Sequence, residues 1–157
     1  MNKMPQHILK IRVRYIMPAF SFIVNCGYWL IRPHKIWTVL KIKRLAAASV
    51  RSIDDVRLNV KKFRWKKDSL HDWHPWIITI LDSGIEDDCD GAAIWGKWLL
   101  SKIGVDSDIW YLKGKDKGHA ICISRFKTFL ITNDQFINIV PGTNIIEMFN
   151  GYDILYK

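Results

Sequence analysis

The chain has 157 residues, 49% apolar, 25% charged and 13% aromatic. This composition excludes disordered, collagenous and low-complexity classes. The length fits one domain with an extension, able to bury roughly 70% of its unfolded surface, and is short for two full-sized domains. Three cysteines, at positions 26, 89 and 122, do not read as a disulfide framework. An odd thiol points to a reducing, cytoplasmic compartment or to a catalytic cysteine.

The net charge of +9 is unevenly spread. Residues 1–67 hold 16 Lys/Arg against Asp54 and Asp55, which is +14; residues 68–157 hold 8 against 13 acids, which is −5. A basic first part and an acidic second part suggest one job plus a docking surface for phosphate, an anionic membrane or an acidic partner. The alternative is two halves that complement each other within one fold.

Residues 8–16 alternate, with Leu9, Ile11, Val13 and Tyr15 on one side and Lys10, Arg12 and Arg14 on the other. Period two predicts a strand with a basic face. Tyr15 to Ile31 carries no charge over 17 residues, the lower limit for a membrane span. Three readings stand for it: buried strand or helix, membrane-associated segment, or cleaved signal. The last fits poorly, because no small-x-small cleavage site follows. Residues 1–35 are therefore expected to form a basic, apolar extension, and 36–157 the main domain.

Past Pro33, His34 to Val50 reads as a basic amphipathic helix. Ser52 reads as an N-cap with Asp54 and Asp55 in the first turn, so a second helix runs to about Lys62. Residues 63–75 are turn-rich and aromatic, and Asp82-Ser-Gly84 reads as a turn. Ala92 to Ile103 is predicted helical, ended by Gly104 in the left-handed conformation. Strands are predicted at 107–112, 118–124, 127–132 and 136–140, with a last one at 152–156. Helices first and an antiparallel sheet after make an α+β layout.

Cys89 stands at the start of the predicted helix, where the N-terminus favours the thiolate. Ala92 and Gly96 are small enough to let that helix press on a sheet. On the strand Gly118 to Ser124, His119, Ile121 and Ile123 share one face, and Ala120 and Cys122 the other. Cys122 thus reads as core. The next strand ends in Asn133 and Asp134, either of which could orient an imidazole. Cysteine on a helix, histidine on a strand and Asn/Asp on the next have the roles of a thiol triad.

The ordered motifs Trp65-Lys66-Lys67-Asp68, Trp73-His74-Pro75, Asp88-Cys89-Asp90 with Ala93, Gly118-His119-Ala120 and Asn133-Asp134 resemble the transglutaminase-like cysteine peptidases over about residues 52–140. The resemblance implies a papain-like fold, with a nucleophile helix packed on an antiparallel sheet. It implies Cys89 as nucleophile, His119 as base, and Asp134 or Asn133 as the orienting group, Asp134 being favoured because an anion also stabilises an imidazolium. The Cys89 backbone N–H is the expected oxyanion donor, with a second donor from the Trp65 or Trp73 region. No cofactor is required. Some family members bind calcium through acids flanking the cysteine, and Asp88 and Asp90 occupy such positions. Glu86, Asp87, Asp88 and Asp90 otherwise raise the thiol pKa.

The expected activity is hydrolysis of an amide bond in a protein or peptide substrate. Two alternatives stand beside it: a protein-glutamine transamidase, and a catalytically silent docking protein working through its basic N-terminus. Small domains of this kind also occur in phage genomes. His71 and His74 lack further metal ligands nearby, and no nucleic-acid motif accompanies the basic residues.

Overall fold

A computed structural model describes residues 17–67, 75–115 and 118–156. The predicted strand at 8–16, Asp68, His71, Trp73 and His74 lie outside the described residues.

The uncharged run forms a helix, α1 (Met17–Leu30). Among the described residues, no helix is long and apolar enough to cross a membrane. A 3-10 turn at Pro33–Lys35 leads into α2 (Ile36–Ser49), close to the predicted amphipathic helix. Helix α3 (Ile53–Val60) starts on a capping box. The Ser52 hydroxyl accepts from the Asp55 N–H, and the Asp55 carboxylate accepts from the Ser52 N–H. The Arg51 N–H first, then the Ser52 hydroxyl and N–H, donate to the Asp55 carboxylate and hold it below the usual carboxylate range.

Three short elements then carry the chain to the thiol. They are β1 (Arg64–Trp65), α4 (Ile77–Asp82) and β2 (Glu86–Asp87). Strands β1 and β2 pair in parallel, with Trp65 opposite Asp87. Helix α5 (Cys89–Lys102) follows, and Gly104 closes it at φ +73, as its position predicted.

The second half is a sheet of β3 (Ser107–Lys113), β4 (Gly118–Ser124), β5 (Phe129–Thr132), β6 (Gln135–Asn138) and β7 (Asp153–Tyr156), with a one-turn helix α6 (Ile145–Met148) before β7. The spatial order is β6-β5-β4-β3-β7, all antiparallel. Strand β5 starts two residues later than predicted. The Ser124 hydroxyl accepts from the N–H groups of Thr128 and Phe129 and so prolongs the turn.

Each sheet face has its own core. On one face Ala120, Cys122 and Ile131 pack with Ala92, Ala93, Trp95, Leu99 and Leu100 of α5. A Cβ on Gly96 would stand 2.9 Å from Ile131 Cγ2, so only glycine permits that approach. On the other face Ile121, Ile123 and Leu130 pack with Trp110, Leu112, Ile139 and Ile145. Period-two reading of β4 thus matches the observed split. Helix α5 is tied to α3 by Trp95, whose indole N–H donates to the Asn59 carbonyl at 3.2 Å.

Helix α1 joins this body through a buried polar cluster. Asn25 Oδ1 accepts from the Trp76 N–H at 2.8 Å and from the Thr79 hydroxyl at 3.0 Å. Its Nδ2 donates to the Ser21 carbonyl at 2.7 Å, and the Trp29 indole N–H donates to Thr79 Oγ1 at 3.2 Å. Tyr28 donates to Asp82 at 2.6 Å, and Lys35 pairs with the same carboxylate.

Candidate active site

Cys89 is the first residue of α5, half-buried, with Asp88 as N-cap. The Asp88 carboxylate accepts from the Asp90 N–H at 3.0 Å. The Cys89 thiol lies 3.8 Å from Asp90 Oδ1, close enough to donate to it. The preceding turn is tightly set. Gly84 lies at φ +83, and Ile85, a β-branched residue, at φ 65. That conformation is strained for isoleucine. Two backbone bonds hold it, Ile85 N–H to Ile80 and Arg64 N–H to Ile85, both 2.9 Å. Gly91 presses on Asp87, so a Cβ there would collide with the Asp87 side chain. The nucleophile turn is thus shaped by glycine at Gly84 and Gly91 and by strain at Ile85.

Chain connectivity places Cys89 and His119 toward the same end of the helix–sheet layer but on opposite faces of the sheet. Ala120, Cys122 and Ile131 face α5, whereas His119 pairs with Leu112 and packs with Phe149 and Tyr152 on the other face. Helix α5 ends at Lys102, and a short loop leads to Ser107, which pairs with Ser124. The C-terminal end of α5 therefore lies over the end of β4. Its N-terminus, roughly 20 Å back along the axis, lies over the beginning of β4, where His119 stands second in the strand.

The His119 ring sits between β5 and the C-terminal segment. Nε2 lies 2.7 Å from Thr132 Oγ1, and the ring packs tilted against Phe149 and Tyr152, with centroids at 5.9 and 6.2 Å. Thr132, the last residue of β5, went unrecognised in the sequence, where an amide or carboxylate partner was sought. Cys122 pairs with Ile131, so Thr132 falls on the His119 side of β5.

Asn133 and Asp134, the predicted orienting pair, form the two-residue turn between β5 and β6. Asn133 has φ 50, a region asparagine tolerates well. Its Oδ1 is buried with no hydrogen-bond partner among the described residues. Asp134 is exposed. Trp65 lies in register with Asp87, two residues before Cys89, and its indole is exposed. Trp73 lies outside the described residues.

Donor atoms of Asp88, Cys89 and Asp90 lie within 4.8 Å of one another, a grouping that could hold a metal ion. No disulfide joins Cys26, Cys89 or Cys122 among the described residues. Burial pushes Cys122 from the ordinary 9.0 to about 12. Burial, with the bond to Asp82, raises Tyr28 from 10.0 to about 12. Both keep protons that the unfolded chain releases at high pH, so stability falls as pH rises. Their contribution is whole below pH 9.0 and lost by about 12. Urea midpoints should therefore drop between about pH 9 and 11 and drop less steeply in Tyr28→Phe. An equal slope in that variant would refute the assignment.

In overall fold the chain is similar to Legionella pneumophila LapG in its calcium-bound structure, with a TM-score of 0.53 and 14% identity over 74% of this chain and 81% of that one. No family model and no curated protein matches the chain. The likeness shows a shared fold, and it supports the transglutaminase-like, papain-like fold implied by the order of the motifs.

Proposed function

We propose that the chain is a thiol hydrolase that cleaves an amide bond, peptide or isopeptide, through an acyl-enzyme on Cys89. The observation that carries this reading is a half-buried cysteine at the first position of α5, a helix packed on the antiparallel sheet whose strand β4 carries His119. A fold shared with LapG supports thiol hydrolysis in general.

In this reading His119 takes the thiol proton and Sγ attacks the carbonyl carbon. The Cys89 backbone N–H, at the first helical position, stabilises the oxyanion. The C–N bond then breaks, and the imidazolium gives its proton to the leaving amine. Water, activated by His119, hydrolyses the thioester. Thr132 has a defined part here. When its hydroxyl accepts from Nε2–H, Nδ1 is the ring nitrogen left with the lone pair that a base needs. A hydroxyl orients the ring without adding an anion, which leaves the electrostatic part to Asp134 or Asn133. Trp65 borders the site as a wall for substrate.

The test is the burst of p-nitrophenol released from an activated acetyl ester. His119→Ala should lower the burst rate by about 10²–10⁴-fold. Thr132→Val should lower it about tenfold, one hydrogen bond's worth, and shift the pH profile. A silent Thr132→Val beside an inactive Asp134→Asn would move the orienting role to Asp134. A silent His119→Ala would refute the mechanism. Products formed with an added amine separate hydrolysis from transamidation.

Calcium at Asp88 and Asp90 is part of the same proposal. Carboxylate oxygens are the hard donors calcium takes, and the LapG structure is calcium-bound. Bound there, calcium would offset the acidic charge that opposes the thiolate. Against it stands the capping bond that already occupies Asp88 Oδ1. Millimolar calcium should raise the melting temperature, a chelator should reverse the rise, and Asp88→Asn with Asp90→Asn should remove the response. A flat titration leaves Asp88 and Asp90 as helix caps alone.

A further inference from the structure

Helix α1 carries polar side chains inward and apolar ones outward. Asn25 is 0% and Ser21 4% exposed, whereas Phe22, Ile23 and Leu30 are 58%, 68% and 77% exposed. A helix at the surface of a water-soluble domain shows the reverse pattern. Ile31, just past α1, and Trp37, at the start of α2, are also exposed, at 72% and 77%. On α2, Trp37, Lys41, Arg44 and Leu45 recur at helical spacing, and all four are exposed. Cations and large apolar groups thus share one surface. Residues 1–16 add Lys3, Lys10, Arg12 and Arg14 with no acid.

We propose that the outer face of α1, with Ile31 and Trp37, is a membrane-interface site for anionic phospholipid. Charge and length fix the occupant. Basic residues around an apolar face suit a negatively charged leaflet, where each contributes about 1 kcal/mol near the surface. Tryptophan and phenylalanine sit well at the headgroup level. Within the described residues the helix has 14 residues and is about 21 Å long, against a hydrocarbon core of about 30 Å, and its buried face is held on the protein body. The segment therefore lies in the plane of the interface. Its inner face is fixed by Asn25 to α4, which precedes the nucleophile turn, so docking would hold the catalytic body at the bilayer surface.

The experiment uses the full chain and sedimentation with vesicles of phosphatidylcholine, with and without phosphatidylglycerol. Anionic vesicles should bind at least about tenfold more strongly than neutral ones. The double variant Ile23→Asp/Leu30→Asp should lose at least about tenfold in partitioning with an unchanged melting temperature. If that variant melts early, Trp37→Ser decides, with an expected loss of several-fold. Three results would overturn the proposal. One is a full chain that stays in the supernatant with anionic vesicles. Another is undiminished, wholly salt-sensitive binding by folded variants, which would assign the effect to charge alone. The third is a dimer that the double variant splits, which would mean a second copy covers the face.

Discussion

Cys89→Ala should abolish the ester burst, a loss on the order of 10⁴-fold or more, because without the thiol no acyl-enzyme forms. The same residue should dominate labelling by iodoacetamide at neutral pH. The reason is local. Cys89 begins a 14-residue helix and is only half-buried, so the positive end of the helix acts on an accessible sulfur. Cys122 is 0% exposed, and its thiol is pushed to about 12, so it has almost no thiolate at neutral pH. Cys26 lies inside α1, away from any helix N-terminus. Under the calcium proposal, an ion at Asp88 and Asp90 offsets the charge that opposes the thiolate, so added calcium should speed the reaction. Peptide mapping decides the matter. Equal, slow labelling of Cys26 and Cys89, with a burst that survives Cys89→Ala, would leave a docking protein and no enzyme.

What the sequence disclosed follows from where its signals are local. The Ser52–Asp55 box, the cysteine opening α5 and the left-handed Gly104 are each set by a few neighbouring residues, and the structure has all three. The faces of β4 were readable because alternation is unbroken from Gly118 to Ser124. The failures are tertiary. Ile77-Ile-Thr-Ile-Leu81 is a β-branched run, yet it is a helix, because Asn25 and Trp29 meet it from α1. Strands β1 and β2 have two residues each, too short for any periodicity. Thr132 was passed over because its role depends on a cross-strand register. In α1 the polar residues Ser21 and Asn25 interrupt an apolar run, yet they are the buried side, with Asn25 held by partners some 50 residues away in the chain.

Asn25→Ala should destabilise the fold by about 2–4 kcal/mol, since a buried and a part-buried donor lose their acceptor together. The Trp76 N–H and the Thr79 hydroxyl both point at Asn25 Oδ1. Alanine offers no oxygen to accept from either donor, so each bears a desolvation cost. Trp76 is the residue before α4, a helix of six residues with no side-chain cap of its own, so Asn25 does from another helix what a cap would do. The loss should spread along the chain. Helix α4 leads through the strained Ile85 to β2 and Cys89, and a looser α4 no longer holds that turn. The urea midpoint should fall, and Cys89 labelling in the folded variant should lose its selectivity. Thr79→Val removes only one donor and should cost about half as much. A loss below about 1 kcal/mol in Asn25→Ala would show that α1 is a loosely held appendage, and the apolar face it displays would then need no partner.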